Sequence, residues 1–402
     1  MTRRTFAAAT AGTLRGFAAE RPNVLVFMTD QESALLPGPA RLPSRKRLLD
    51  RGINYTHAFC NTPQCSPARA SLLAGLEPHA AGVLTNVDGG SLGKGLRPET
   101  PTIGSVFANA GYETGYFGKW HLGQSRGGFA KFETGEGDAD TVRAASDWLR
   151  ARRQPWLCWV SVLDPHHIYD IPRAANVTPS IRPGVRPPHS GLENLRGKPS
   201  EQRAFVDQDQ GRLTREFSTE DWLRYRSFYL DLVEKTDSYL GTMLDAAGSL
   251  DNTVAAYTTD HGDQLGEHGL PYKGPFMYDE LLRIPLIVAG RRIASGTLDG
   301  FVRQSDLASI LSGAAGLAWP GRAHRPDHDA VFLEYYSKQK WVNPIRTIRT
   351  RNWKYNHYDH SGHEELYAID RDPHELQNLA NAEPHAGMKA GLRQRLDNWW
   401  KR

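Results

Sequence analysis

Cysteine is scarce in this chain: Cys60, Cys65 and Cys158 are the only three in 402 residues. That number excludes a disulfide framework, although Cys60 and Cys65 are close enough in sequence to bridge. No apolar run reaches the ~18 residues that a membrane-spanning helix needs, so no membrane span is expected. Lys and Arg total 49 against 45 Asp and Glu, and the net charge of +4 is spread along the chain without a basic block. Nothing therefore points to a nucleic-acid groove. Internal repeats and low-complexity tracts are also missing.

What is present suits a globular protein with a real core: 39% hydrophobic and 23% charged residues. The length allows one large domain, or a large domain with a smaller one. Ten tryptophans and fifteen tyrosines fit a cleft lined with aromatic rings or ordinary core equally well. At the N-terminus, Arg3-Arg4 and Phe6 precede an Ala-rich stretch to Leu14. This pattern is that of a short twin-arginine export signal over residues 1–20, implying a periplasmic or secreted protein. The alternative is a basic tail on a cytoplasmic one.

Short apolar runs alternate with helical patterns. The runs are NVLVFMTDQ from Asn23, the strand within Thr100–Gly123, WLCWVSVLDPHH from Trp156, NTVAAYTTDHGD from Asn252 and RIPLIVAG from Arg283. Helices are expected over Pro43–Arg51, Asp138–Arg152 and Asp221–Ala247. The alternation predicts an α/β fold with a large, mixed, mostly parallel sheet sandwiched by helices. Three runs end in carboxylate, amide or imidazole groups, and in such sheets ligand sites gather at the carboxyl ends of the strands. Ile171–Arg212 shows no period and reads as a long surface loop, a candidate substrate-side insertion. Turn signals and short alternating runs near the end predict a small C-terminal antiparallel sheet with a covering helix. The expected division is a catalytic domain at 21–325 and a smaller subdomain at 326–402.

The stretch NTPQCSPARASLLAG, Asn61–Gly75, places a cysteine where a helix begins. Pro67 suits the first turn, Ala68 to Ala74 continue the helix, and Gly75 can end it. Cys65 then sits at the positive end of the helix dipole, with Arg69 one turn further on the same face. A free thiol there would be activated. It could equally be a core thiol, half of a disulfide, or the precursor of another group.

Cys65-Ser-Pro67-Ala-Arg69 followed by Ala-Ser-Leu-Leu-Ala-Gly matches the Cys-x-Pro-x-Arg signature of the sulfatase family, which has the alkaline phosphatase-like fold. The resemblance runs from about Asn23 to the end of the chain, with the loop near 171–220 unmatched. It implies that Cys65 is oxidised after translation to formylglycine, so a formylglycine-generating or equivalent maturation enzyme is an expected partner. Asp30-Gln31 falls where the family supplies the first half of a divalent-metal site, often as Asp-Asp, and Asp260-His261 where it supplies the rest. The implied metal set is Asp30, Gln31, Asp260, His261 and the converted Cys65. The implied ion is Ca²⁺, with Mg²⁺ or Mn²⁺ as alternatives. In GYFGKWHLG, Lys119 would contact the sulfate oxygens and His121 would hold the aldehyde hydrate. In Asp164-Pro-His-His, His166 matches the family histidine that binds sulfate or protonates the leaving group, although Ile168 replaces the usual proline. Lys273 matches a lysine that contacts the ester. Arg69 and the metal would hold the hydrate itself. Asp263, Glu267 and His268 are expected to stabilise the loop or to support the metal ligands from behind.

By this resemblance the protein is an arylsulfatase- or choline-sulfatase-like enzyme that hydrolyses a small sulfate ester to an alcohol and inorganic sulfate, with choline sulfate, aryl sulfates and sugar sulfates all open as substrates. One hydroxyl of the aldehyde hydrate attacks sulfur, and loss of a proton from the other lets the sulfated hydrate collapse. The nearest alternative is a phosphonate monoester or phosphodiester hydrolase of the same superfamily, toward which Gln31 and His261 lean. A non-catalytic anion-binding homologue, with Cys65 unconverted, is the third.

Overall fold

The computed structural model describes residues 21–87, 93–135, 137–153, 155–171, 179–322, 328–338 and 341–401. The Arg3-Arg4 segment lies outside them. Among the described residues no helix is long and apolar enough to cross a membrane.

Strand β1 (Asn23–Asp30) explains the architecture. Successive side chains of a strand point to opposite faces, and both faces of this strand are covered. Val24, Val26 and Met28 pack with Ala70, Leu72 and Leu73 of the Cys65–Ala74 helix, with Phe107 of the Ile103–Asn109 helix, and with Leu307 and Leu311 of the Leu307–Ala314 helix. Leu25 and Phe27 pack against Leu48, against Val142 and Leu149 of the Asp138–Arg150 helix, and against Leu240, Met243 and Leu244 of the Thr219–Ala247 helix. A strand buried on both faces must read as a continuous apolar run, as Val24 to Met28 does. Truncating a core residue of this kind, such as Phe27, costs about 3–5 kcal/mol.

The other strands of the main sheet are β2 (Gly52–Phe59), β3 (Glu113–Gly118), β4 (Lys131–Glu133), β5 (Trp156–Pro165), β6 (Thr253–Thr259), β7 (Leu286–Gly290) and β8 (Gly296–Arg303). Their order is β4-β3-β5-β1-β6-β7-β2-β8. Strand β7 runs antiparallel to both its neighbours, and the other pairings are parallel. β1 thus lies between β5 and β6, and the carboxyl ends of all three emerge side by side.

A second sheet, entirely antiparallel, has the order β12-β11-β10-β9, with β9 (Ala330–Lys338), β10 (Trp341–Thr350), β11 (Trp353–Tyr358) and β12 (Glu364–Ala368). The Ala386–Trp400 helix covers it through Leu392 and Leu396. Its other face contributes Val331, Leu333, Ile345 and Tyr367 to the same apolar cluster as the main sheet. The core therefore continues from one sheet to the other.

Helix ends follow local chemistry. Ser218 and Asp221 form a reciprocal capping box at the start of the long helix. Gly75 ends the Cys65 helix at φ 65°. One expectation needs correction. The supposedly structureless Ile171–Arg212 contains a helix, Ser200–Gln208. Its buried Phe205 and Val206 join the main core, and its buried Gln202 bonds Tyr358, Glu365 and Tyr278. Residues 172–178 of that stretch lie outside the described residues.

Candidate active site

Cys65 is the first residue of its helix, after Gln64 in extended conformation. The helix start is tied down by Ser66, whose N–H donates to Asn86 Oδ1 at 3.0 Å and whose hydroxyl donates to the His121 carbonyl at 2.6 Å. These two bonds join the cysteine turn to the Lys119–His121 loop at the end of β3. Gly118, just before that loop, has φ 96°, and a Cβ there would lie 2.0 Å from the Ser161 carbonyl. Only glycine allows this approach.

The thiol of Cys65 is buried and faces three strand ends. His261 Nε2 lies 3.3 Å from its sulfur, and Asp30 Oδ1 and Lys119 Nζ each lie at 3.9 Å. Asp30, Cys65, Asp260 and His261 offer ligand atoms that all lie within 4.8 Å of one another. His261 Nδ1 sits 2.9 Å from the Gly262 carbonyl and donates to it, which turns Nε2 toward the cluster, where it offers a lone pair once the ring is neutral. Two carboxylates, an imidazole lone pair and position 65 thus converge, a donor set that fits a divalent cation.

Arg69 acts one step behind this cluster. Its Nε donates to Asp260 Oδ2 at 2.9 Å and a terminal nitrogen to Asp30 Oδ2 at 2.7 Å, while the other terminal nitrogen donates to the Lys119 carbonyl and Ser161 Oγ. The guanidinium therefore locks two carboxylates from β1 and β6 in one fork. Its recorded bonds go to these groups rather than to the Cys65 sulfur. Ser161, inside β5, carries no motif that would single it out in the sequence.

Gln31, at φ 71°, turns its side chain between two partners. Nε2 donates to Asp263 Oδ2 at 2.6 Å, and Oε1 accepts from Lys273. Asp263 also accepts from Tyr225 and the Leu265 N–H, so it fixes which end of the amide faces inward. Glu267 instead pairs with Arg226 at 2.6 Å, and His268 meets Asn194 at 2.7 Å. Both lie away from the cluster.

Lys119 Nζ lies 2.6 Å from Asp30 Oδ2, and Lys273 Nζ lies 5.4 Å from the Tyr169 ring centre. Cys65, Lys119, His121, His166 and Lys273 all line one cavity of about 650 Å³, together with Gln64, Asn86, Tyr169 and Lys338. Electrostatics there favour anions. Burial and the Asp30 charge oppose ionisation of the Cys65 thiol, yet Lys119, Lys273 and His261 outweigh them and hold its pKa well below the ordinary value. Burial raises Asp30, and Lys119, His166 and Arg69 more than reverse it. Burial and then the charge of Lys273 pull His166 down to about 3. The other two cysteines differ: Cys60 and Cys158 are buried, free and pushed up by burial.

The model of the family described as Sulfatase matches residues 22–137 and 124–317, and that described as N-sulphoglucosamine sulphohydrolase, C-terminal, matches 266–402. The chain belongs to the sulfatase family. It is 26% identical over 432 residues to a Delta 4,5-hexuronate-2-O-sulfatase of Bacteroides thetaiotaomicron, covering 95% of this chain and 89% of that one. It is 27% identical over 443 residues to a choline-sulfatase of Rhizobium meliloti, covering 90% and 82%. Among solved structures, a 2-O GAG sulfatase superposes with a TM-score of 0.83 at 24% identity, covering 95% of this chain and 92% of that one. The phosphonate monoester hydrolase of Agrobacterium radiobacter gives 0.79 at 21%, covering 94% and 95%. The sulfatase fold is thus shared with enzymes of both ester classes.

Proposed function

We propose that this member of the sulfatase family hydrolyses sulfate esters, with position 65 as formylglycine and a divalent ion held by Asp30, Gln31, Asp260, His261 and that residue. The observation that carries the reading is the convergence of Asp30, Cys65, Asp260 and His261 at a helix N-terminus, beside a cavity that Cys65 lines together with three lysines. When present, the formylglycine hydrate supplies a hydroxyl nucleophile and the ion supplies positive charge for the sulfate oxygens. The oxygen-rich set favours Ca²⁺, with Mg²⁺ and Mn²⁺ as the competing ions.

The chain's own residues do the rest. Lys119 and Lys273 flank position 65 and neutralise the anionic ester as it approaches. Arg69 keeps Asp30 and Asp260 from turning away, and Asp263 keeps the Gln31 amide in one orientation. His166 meets the ester as a neutral imidazole and donates its N–H toward the leaving oxygen. His121, on the loop tied to Ser66, lines the same cavity as position 65 and would orient it.

A second reading, phosphonate monoester or phosphodiester hydrolysis, draws on Gln31 and His261. Gln31 removes a negative charge where a second Asp often stands, and His261 takes a place that the family fills with Asn or His. Two measurements test the choice. Peptide mass spectrometry after expression with a maturation enzyme should show the Cys65 peptide lighter by roughly 18 Da. The converted protein should then turn over nitrophenyl sulfate faster than a phenyl phosphonate. Faster phosphonate turnover overturns the sulfate assignment, and an unconverted thiol overturns the catalytic one.

A further inference from the structure

The cavity is much larger than one sulfate group requires, and its wall is not neutral. Three lysines and three histidines line it, against Asp170 as the one carboxylate among its lining residues. Lys119 and Lys273 flank position 65. Lys338 does not belong to that group: it is the last residue of β9, in the C-terminal sheet, and it enters the cavity from the opposite part of the chain.

Lys338 is only 15% exposed, and its ammonium lies 2.7 Å from Asp209 Oδ2 and 2.7 Å from Gln210 Oε1. The Phe205 ring lies beneath it at 4.9 Å. An ammonium has three donors, and these two bonds leave a third with no partner among the described residues. Gln210 lines the cavity beside it, as do Gln64, Asn86 and Thr134. Amides and hydroxyls of this kind pair with a hydroxyl-rich ligand. A purely structural ion pair would gain nothing from lying open to the substrate cavity, and burying a lysine costs desolvation that Asp209 alone offsets incompletely. Burial lowers Lys338 to about 8 despite Asp209, and the charge of Lys273 is felt there too. A quaternary ammonium alcohol fits poorly, since it wants an aromatic cage and would here face three lysines.

We propose that Lys338 holds a second anionic group of the substrate, which makes that substrate a sulfated saccharide bearing a carboxylate or another sulfate beyond the ester that is cleaved. This rests on the sulfate-ester reading and adds the substrate class to it. The Ser200–Leu213 segment and the end of β9 then form the wall that selects the diacid, with Asp209 and Gln210 positioning the lysine.

Paired substrates test it. Glucosamine 6-sulfate is compared with glucosamine 2-N,6-O-disulfate, and a 2-O-sulfated uronate disaccharide with its carboxyl-reduced form; nitrophenyl sulfate serves as the control without a second anion. The expected result is that at least one diacid is turned over tenfold or more better than its monoacid partner. The pair that shows this identifies sulfate or carboxylate as the group. Lys338→Met should abolish that ratio through KM and leave nitrophenyl sulfate within twofold, whereas Asp209→Asn, which loosens the ion pair but keeps the cation, should preserve it. The proposal is overturned if no pair differs by more than threefold, or if Lys338→Met lowers all substrates alike. Calorimetric binding of the same pairs to Cys65→Ser protein judges Lys338 without turnover: equal affinity within each pair, or a preference that survives Lys338→Met, overturns it. A loss of all sulfate turnover in converted protein, with diacid binding still dependent on Lys338, overturns the hydrolase reading and with it the substrate class, and leaves Lys338 only as an anion-binding group.

Discussion

Two buried clusters of charge in this chain are built from the same residue types and do different things. One gathers Asp30, Asp260, Arg69 and Lys119 at the carboxyl ends of β1, β3 and β6. The other gathers Asp279, Arg349, Lys354 and Glu375 where the C-terminal sheet meets the Asp279–Leu282 turn. In the second, Lys354 spends its ammonium on Asp279, Glu375 and the Met277 carbonyl, and Glu375 also accepts the Asp279 N–H. It is closed on itself. In the first, the cations hold carboxylates so that ligand atoms of four residues face one point beside an open cavity. Burial of charge alone does not mark a site. Convergence of ligand atoms from separate strand ends beside a cavity does.

The sharpest way to separate the clusters is to remove the group at that point. Cys65→Ala should cut sulfate ester turnover by on the order of 10⁴-fold or more if position 65 is the proposed nucleophile. Its thermal midpoint should stay within a few degrees, because position 65 carries no ion pair that the fold needs. Residual activity within tenfold of the parent would remove position 65 from the mechanism.

Breaking the closed cluster should do the reverse. Asp279→Ala strands Arg349 without its carboxylate and leaves Lys354 with the Glu375 carboxylate, and such a loss costs about 3–5 kcal/mol. Denaturant unfolding measures it. The fraction that remains folded should keep its kcat, because Asp279 does not reach the cavity. A kcat loss as large as that of Cys65→Ala would dissolve the distinction.

Arg69→Lys lies between these extremes. A lysine keeps the charge but cannot hold Asp30 and Asp260 in one fork. The expected loss in kcat/KM is about 10²-fold, near 3 kcal/mol, with weaker metal retention in a dialysis assay. Unchanged retention with normal activity would show that the two carboxylates need no shared partner.

The contrast also explains what the sequence reveals. The open cluster is legible because its members sit in short local patterns: an apolar run ending in Asp30-Gln31, a Cys-Ser-Pro-Ala-Arg turn, and another run ending in Asp260-His261. Each pattern is set by strand ends, where a buried run must meet polar groups. The closed cluster is not legible, because its partners come from distant segments joined only by sheet packing. Lys338 is hidden for the same reason, since nothing around Ser337-Lys338 in β9 signals a cavity. The Ser200–Gln208 helix escapes notice because polar bonds through Gln202 hold it as much as apolar period does. The main sheet is readable in its central strands β1, β5 and β6. The edge strand β4, only three residues long, carries no period to read.

The smallest expected effect is in pH dependence, and it distinguishes the clusters by where titration is felt. Burial alone would raise Asp279, but Arg349 and Lys354 hold its carboxyl below the ordinary range. Its stabilising contribution is therefore present above the unfolded value near 3.8 and is lost as pH falls through the folded value. Burial pushes Glu375 up to about 8. Its sign is opposite: its contribution is complete below the unfolded value near 4.5 and is lost as pH rises through about 8. Glu375→Gln keeps an acceptor for Lys354 and the Asp279 N–H but has no proton to lose. Between pH 5 and pH 9 the parent should lose more stability than this variant. Denaturation midpoints at the two pH values measure the difference, and kcat on nitrophenyl sulfate should be the same for both proteins throughout. If Glu375→Gln declines as steeply as the parent, the alkaline loss belongs to another group. If instead it shifts the pH profile of kcat, the two clusters are coupled, and charge under the C-terminal sheet tunes the site at the ends of β1 and β6.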